Sequence, residues 1–190
     1  MIIYYIEILI LSLVQGFFEF IPVSSSAHLI LISKISEINL RSLEIDISLH
    51  LGSLLAILFY FRKDFANILN NKNLLSLILF GSIPLVFTGY FLYTTNLIDH
   101  LREIKIIAWT TLIFGILLYI SDRFKVENYI EKNLTLKNIL LIGFLQVLSL
   151  IPGVSRSGII ITAGRFLNFS RVDSAKISFY LSIPALIGAS

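Results

Sequence analysis

Apolar residues in this chain fall into long blocks separated by short charged stretches, the pattern of helices that cross a bilayer. At about 1.5 Å per residue, Leu74 to Tyr93 and Ile104 to Ile120 each suit roughly 30 Å of hydrocarbon, the second with some thinning. Ile47 to Phe61 is shorter and borrows Leu43 to Asp46 as a first turn outside the core. Ser174 to the end makes a fourth candidate. The predicted spans are therefore 43–61, 74–93, 104–120 and 174–190. The last has no polar flank beyond it, so the chain is expected to be truncated there.

Two apolar runs behave differently. Ile2 to Val14 stops at Gln15-Gly16 and Ile139 to Ile151 stops at Pro152-Gly153, and at about 1.5 Å per residue neither is long enough to cross. Each is followed by a Ser-rich break and a second short apolar stretch, so residues 2–33 and 138–168 are predicted to be re-entrant helix hairpins. Irregular backbone at membrane depth is tolerated only where it lines a cavity, which makes each break a site candidate. The breaks also resemble each other. Gln15 precedes Pro22 and Ser24-Ser25-Ser26, and Gln146 precedes Pro152 and Ser155-Arg156-Ser157; Gly81-Ser82-Ile83-Pro84 is echoed by Leu181-Ser182-Ile183-Pro184. Such weak symmetry is the mark of an inverted repeat, whose interrupted helices meet at a midplane site.

Charge placement tests the inversion. Stretches 62–73, 121–137 and 165–176 hold 3, 4 and 3 Lys or Arg, against 2 and 2 in 34–46 and 94–105, which assigns the first group to the cytoplasm. The first hairpin then enters from outside and the second from inside. The fold class expected is an all-α integral membrane protein, an inverted-topology repeat forming a single multi-pass domain over 1–190.

Composition agrees: 56% of residues are hydrophobic, 14% are charged and the mean hydropathy is +0.88. The absence of cysteine excludes disulfides and thiolate metal sites. The net charge of +3 comes with no basic stripe interleaved with aromatics, so nucleic acid is not an expected partner. Ser25-Ser26-Ala27 resembles a signal-peptide cleavage site, but no positive charge precedes the apolar run, Glu7 and Glu19 interrupt it, and no soluble domain follows.

Ionisable groups inside a membrane cost a few kcal/mol each and are functional candidates by default. The first break offers Glu19 and His28, the second Arg156. In Pro152-Gly153-Val154-Ser155-Arg156-Ser157-Gly158 a helix ends, hydroxyls and a guanidinium follow, and the free N–H groups of a new helix point back into the loop, which suits a phosphate. The plainer reading is a structural ion pair between Arg156 and Glu19. Were Ser24 or Ser25 to begin the helix after Pro22, His28 would share its face, admitting Ser25 as a nucleophile activated by His28 or His28 as acid or base for an attacking water. Glu19 also suits a divalent cation bridging phosphates. At least one serine is expected to cap a helix instead. His50, four residues after Asp46 on an apolar helix, reads as a structural hydrogen-bonding residue more than as a metal ligand, and His100 as solvated.

The stretches from Gln15 to His28 and from Pro152 to Gly158 closely resemble the undecaprenyl pyrophosphate phosphatase family, the bacitracin-resistance proteins, and the likeness extends over essentially all 190 residues. The resemblance implies dephosphorylation of undecaprenyl pyrophosphate to the monophosphate carrier used for peptidoglycan, in the bacterial plasma (inner) membrane, with a site opening to its outer or periplasmic face. It implies a divalent cation, Mg or Ca, and a polyprenyl diphosphate lipid among membrane lipids; a homodimer is left open. By position, Glu19 matches the essential acid, Ser25 the proposed nucleophile, His28 the catalytic histidine and Arg156 the phosphate-binding arginine. Ser24, Ser26, Ser155, Ser157 and Gly153 are expected around the phosphates, and Gln15, where many members have a second glutamate, joins Glu19 as the metal candidate. Ile160 stands where a threonine is usual, and Thr162 need not point the same way. The competing readings are a secondary transporter or lipid flippase, which shares the broken-helix architecture, and an inert fragment of the phosphatase.

Overall fold

The computed structural model describes residues 2–35, 43–95 and 101–189, and among these every regular element is helical. His100, expected to be solvated, lies outside the described residues. Helix α1 (Ile2–Phe18) ends before an irregular segment over 19–24, and α2 (Ser25–Ile35) follows. Then come α3 (Leu43–Tyr60), α4 (Arg62–Asn70), α5 (Lys72–Thr95), α6 (Ile104–Ser121) and the single turn α7 (Ile130–Asn133). Helix α8 (Leu136–Gln146) runs on through a 3₁₀ turn, Val147–Leu150, to a second irregular segment over 151–155, after which α9 (Arg156–Phe166) and α10 (Arg171–Ala189) complete the chain.

Both predicted breaks are present, and the helices flanking each are short. The sequence did not suggest α4. Residues 62–73 were expected as a charged stretch between spans, but 62–70 form an amphipathic helix bent by 79° from α3, with Ile68 buried and Leu69 exposed. Helices α5 and α6 are long and apolar enough to cross a membrane, and α3 with α4 qualifies as one bent pair. Helix α10 is of similar length, but Arg171, Asp173 and Lys176 make its first two turns polar. It packs on α9, α3 and α5, and its serines at 174, 178 and 182 are buried in those contacts.

The main core lies where α5 meets α8 and α10 meets α9, with Ile139, Ile142, Ile160, Ile177 and Leu181 almost wholly enclosed. Helix α5 can approach α8 so closely because glycines face each other: a Cβ on Gly143 would run into the carbonyl of Gly81. Small residues at a helix crossing let dispersion act between backbones, which is the main attraction available when the surroundings are as apolar as the side chains. Outward, Tyr5, Leu9, Leu13 and Phe17 of α1 and Phe80, Ile83, Phe87 and Tyr90 of α5 are exposed. An apolar surface of that extent fits a lipid environment and not water.

Candidate functional site

The two irregular segments begin their following helices in the same way. Ser24 accepts a hydrogen bond from the Ala27 amide at 3.3 Å, and Ser155 accepts one from the Gly158 amide at 3.2 Å, so each caps its helix. Each cap hydroxyl also lies 3.1 Å from the serine two residues on, Ser26 in one case and Ser157 in the other. Ser25 and Arg156 thereby occupy equivalent positions, the first residue of α2 and of α9.

These two residues converge on one carboxylate. Arg156 donates from a terminal nitrogen to Glu19 Oε1 at 2.5 Å, and Ser25 donates to Glu19 Oε2 at 2.6 Å. Gln15, 1% exposed, donates from Nε2 to the same Oε2 at 2.8 Å. Glu19 is thus a carboxylate with both oxygens engaged, holding two segments 137 residues apart in sequence. Ser157 adds a second tie by donating to the Ile21 carbonyl at 2.7 Å. The ion pair expected as the plainer reading is present, and it lies in the wall of a shared cavity.

That cavity measures about 250 Å³, and its polar lining includes Glu19, Ser24, Ser25, Ser26, Ser155 and Arg156. The free N–H groups at the starts of α2 and α9 and the guanidinium make it suited to a polyanion. Arg156 keeps donors in reserve, since its Nε is buried without a partner.

Several predicted residues take other places. His28 does not reach Ser25: its Nδ1 lies 2.7 Å from the Ser24 carbonyl and its ring stacks on Phe18 at 4.2 Å, so it joins the end of α1 to the start of α2. On a helix beginning at Ser25, the carbonyl four residues back captures the imidazole before the neighbouring hydroxyl can. Gly153 serves geometry: its φ is +94°, and a Cβ there would lie 2.7 Å from the Ile107 carbonyl of α6. Ser157 is spent on Ile21. Ile160 is buried in the core, and Thr162 donates to the Gly158 carbonyl at 2.8 Å, so neither brings a hydroxyl to the cavity.

A divalent cation finds an unfavourable donor set here. Among the described residues Glu19 is the one carboxylate lining the cavity, and a guanidinium 2.5 Å from it opposes a second cation. Gln15 Oε1, buried and unpartnered, offers one neutral oxygen, whereas Mg²⁺ or Ca²⁺ takes six or more oxygen ligands. Among the described residues no group of three His, Cys, Asp or Glu side chains could hold a metal.

Three polar lining residues were not among the predicted site residues: His50 of α3, Arg102 just before α6 and Ser149 of the 3₁₀ turn. His50 signalled itself as an imidazole on an apolar helix. Its Nδ1 bonds to the Asp46 backbone carbonyl at 2.8 Å. Arg102, in a charged loop, gave no signal.

An undecaprenyl-diphosphatase of Pelagibacter ubique is 59% identical over 186 residues, covering 97% of this chain and 73% of that protein. Undecaprenyl-diphosphatases of Campylobacter concisus and Campylobacter curvus are 44% and 40% identical, covering 95% and 96% of this chain and 73% of each relative. Residues 8–190 match the family described as bacitracin resistance protein BacA, and to that family of membrane proteins the chain belongs.

Proposed function

We propose that the chain hydrolyses undecaprenyl diphosphate to undecaprenyl phosphate and inorganic phosphate, with the diphosphate in the cavity between the two breaks. The observation that carries this is the convergence of Ser25 and Arg156 on Glu19 inside a cavity formed by two helix N-termini. A lipid carrier could use Arg156 alone. A hydroxyl 2.6 Å from a buried carboxylate is what nucleophilic attack requires.

The chemistry follows from the contacts. An entering diphosphate competes with Glu19 for Arg156, whose planar fork matches phosphate oxygens. As the guanidinium turns to the phosphate, Glu19 Oε1 is released while Oε2 keeps its hydrogen bond from Ser25. Ser25 Oγ then attacks the terminal phosphorus, its proton passing to Glu19 Oε2, while the bridging P–O bond breaks and its electron pair leaves with undecaprenyl phosphate. Once Glu19 has passed that proton to the departing undecaprenyl phosphate, it takes a proton from water, whose oxygen attacks the phosphorus; the Ser25 Oγ–P bond breaks, the proton returns from Glu19 to Oγ, and inorganic phosphate leaves. Charge developing on the phosphoryl oxygens is met by Arg156 and the amides that begin α2 and α9. Mg²⁺ or Ca²⁺, expected from the resemblance, would supply charge neutralisation as counter-ion of the diphosphate, and no step above runs through it.

The two short broken pairs, α1–α2 and α8–α9, are read as re-entrant hairpins of an inverted repeat; matching caps, matching serine pairs and buried Gln15 and Gln146 support that reading. With the Lys and Arg bias cytoplasmic, the cavity opens toward the outer face of the plasma membrane.

The test is phosphate release by purified protein from undecaprenyl diphosphate, run beside lipid movement in liposomes. Release that disappears in Ser25→Ala, with phosphate trapped on Ser25 in acid-quenched wild type, is the expected result. Lipid movement without release would overturn the reading in favour of transport.

A further inference from the structure

Among the described residues His50 is the one imidazole that lines the cavity, and nothing in the mechanism above uses it. The tautomer of its neutral ring is fixed by the Asp46 carbonyl 2.8 Å away: a carbonyl only accepts, so Nδ1 carries the hydrogen and Nε2 is the nitrogen left over. Among the described residues Nε2 has no hydrogen-bond partner. The other imidazole near the breaks, His28, is stacked on Phe18 and bonded to Ser24.

The side chains assigned so far all serve the terminal phosphoryl group. A diphosphate ester carries two to three negative charges, while Arg156 arrives already paired with Glu19. Among the described residues the remaining cationic side chain in the lining, Arg102, comes from an exposed segment ahead of α6. An imidazole nitrogen can hold a phosphate oxygen with one proton shared between them, whether the proton starts on the ring or on the phosphate. That needs only the unpartnered Nε2.

Resting on the phosphatase reading, we propose that His50 binds the lipid diphosphate through Nε2, on the phosphoryl group adjoining the prenyl chain, while Arg156 and Ser25 hold the terminal one. The assignment follows from placement. The terminal group must sit at Ser25, at the start of α2, and His50 approaches the same cavity from a different helix, α3.

His50→Ala should raise KM for undecaprenyl diphosphate about tenfold and leave kcat within about threefold, since one hydrogen bond to a charged group is lost in ground and transition states alike. His50→Gln, which returns a side-chain N–H at similar reach, should restore most of the affinity. A purely structural role through Asp46 would lower the thermal midpoint of His50→Ala and leave KM unmoved. A readout independent of turnover is calorimetric binding of a polyprenyl methylenediphosphonate, whose Kd should rise about tenfold in His50→Ala. Unchanged KM and Kd in His50→Ala, with an active and binding wild type, would overturn the inference about His50 alone. A wild type that neither hydrolyses the lipid nor binds the analogue would overturn the phosphatase reading and this inference with it.

Discussion

At the scale of single residues, Glu19 holds Arg156 at rest, and in the proposed mechanism it also takes a proton from Ser25, two incompatible-looking ends. A neutral isostere separates them: Glu19→Gln keeps hydrogen bonding but removes the base, and kcat should fall by roughly 10²–10⁴-fold in a phosphate-release assay. Arg156→Lys keeps a charge and loses the fork, and should lower kcat/KM by roughly 10²-fold or more. Gly153→Ala should act through the fold. At φ +94° with α6 pressed against it, a methyl group costs roughly 1–3 kcal/mol, visible as a lower thermal midpoint in detergent. Glu19, Ser25 and Arg156 were legible in the sequence because charges and paired hydroxyls inside apolar runs have few uses other than a site. The fate of His28 was not, because spacing fixes which face of a helix a residue occupies but not whether its ring reaches forward to a hydroxyl or back to a carbonyl.

At the scale of elements, the caps by Ser24 and Ser155 decide where α2 and α9 begin, and so place Ser25 and Arg156. Near the far end of α9 a second polar cluster fixes the loop after α6. Arg171 grips Asp122 through two bonds of 2.6 Å, while buried Arg165 donates to the carbonyls of Phe169, at 2.5 Å, and of Asp122 and Phe124. The bond from Arg171 holds the Asp122 carboxyl below its usual range, partly opposed by burial and helped by the charges of Arg171 and Arg165. A carboxyl lowered in the folded state contributes stability above its unfolded pKa, and the contribution is lost as pH falls through the folded one. Acid titration of the thermal midpoint should therefore be shallower in Asp122→Asn at its acid end, and Asp122→Asn should be less stable than wild type at neutral pH. The size is modest because Asp122 is 39% exposed and the pair is screened. This clamp joins segments 49 residues apart, which hydropathy and local spacing do not reveal.

At the scale of the whole molecule, the long apolar blocks were enough to forecast an all-helical membrane protein. The two broken segments were visible because their apolar runs are too short to cross. The bent α3–α4 pair and the polar beginning of α10 were less legible, since both depend on burial against neighbours and not on hydropathy. The proposed inversion makes a sided prediction, and the absence of native cysteine makes it clean to test. In oriented vesicles, single cysteines at the exposed positions Asn70 and Lys125 should react with a membrane-impermeant maleimide only from the cytoplasmic side, and one at Lys34 only from outside. Labelling of all three from one side would refute the inversion.

The claim on which the account rests is that two distant breaks make one reaction centre, and a double-mutant cycle on phosphate release from undecaprenyl diphosphate addresses it directly. If Glu19 and Arg156 act as a unit, Glu19→Gln with Arg156→Gln should lose little more than the worse single variant. Losses that multiply, each variant contributing its full factor independently of the other, would contradict it.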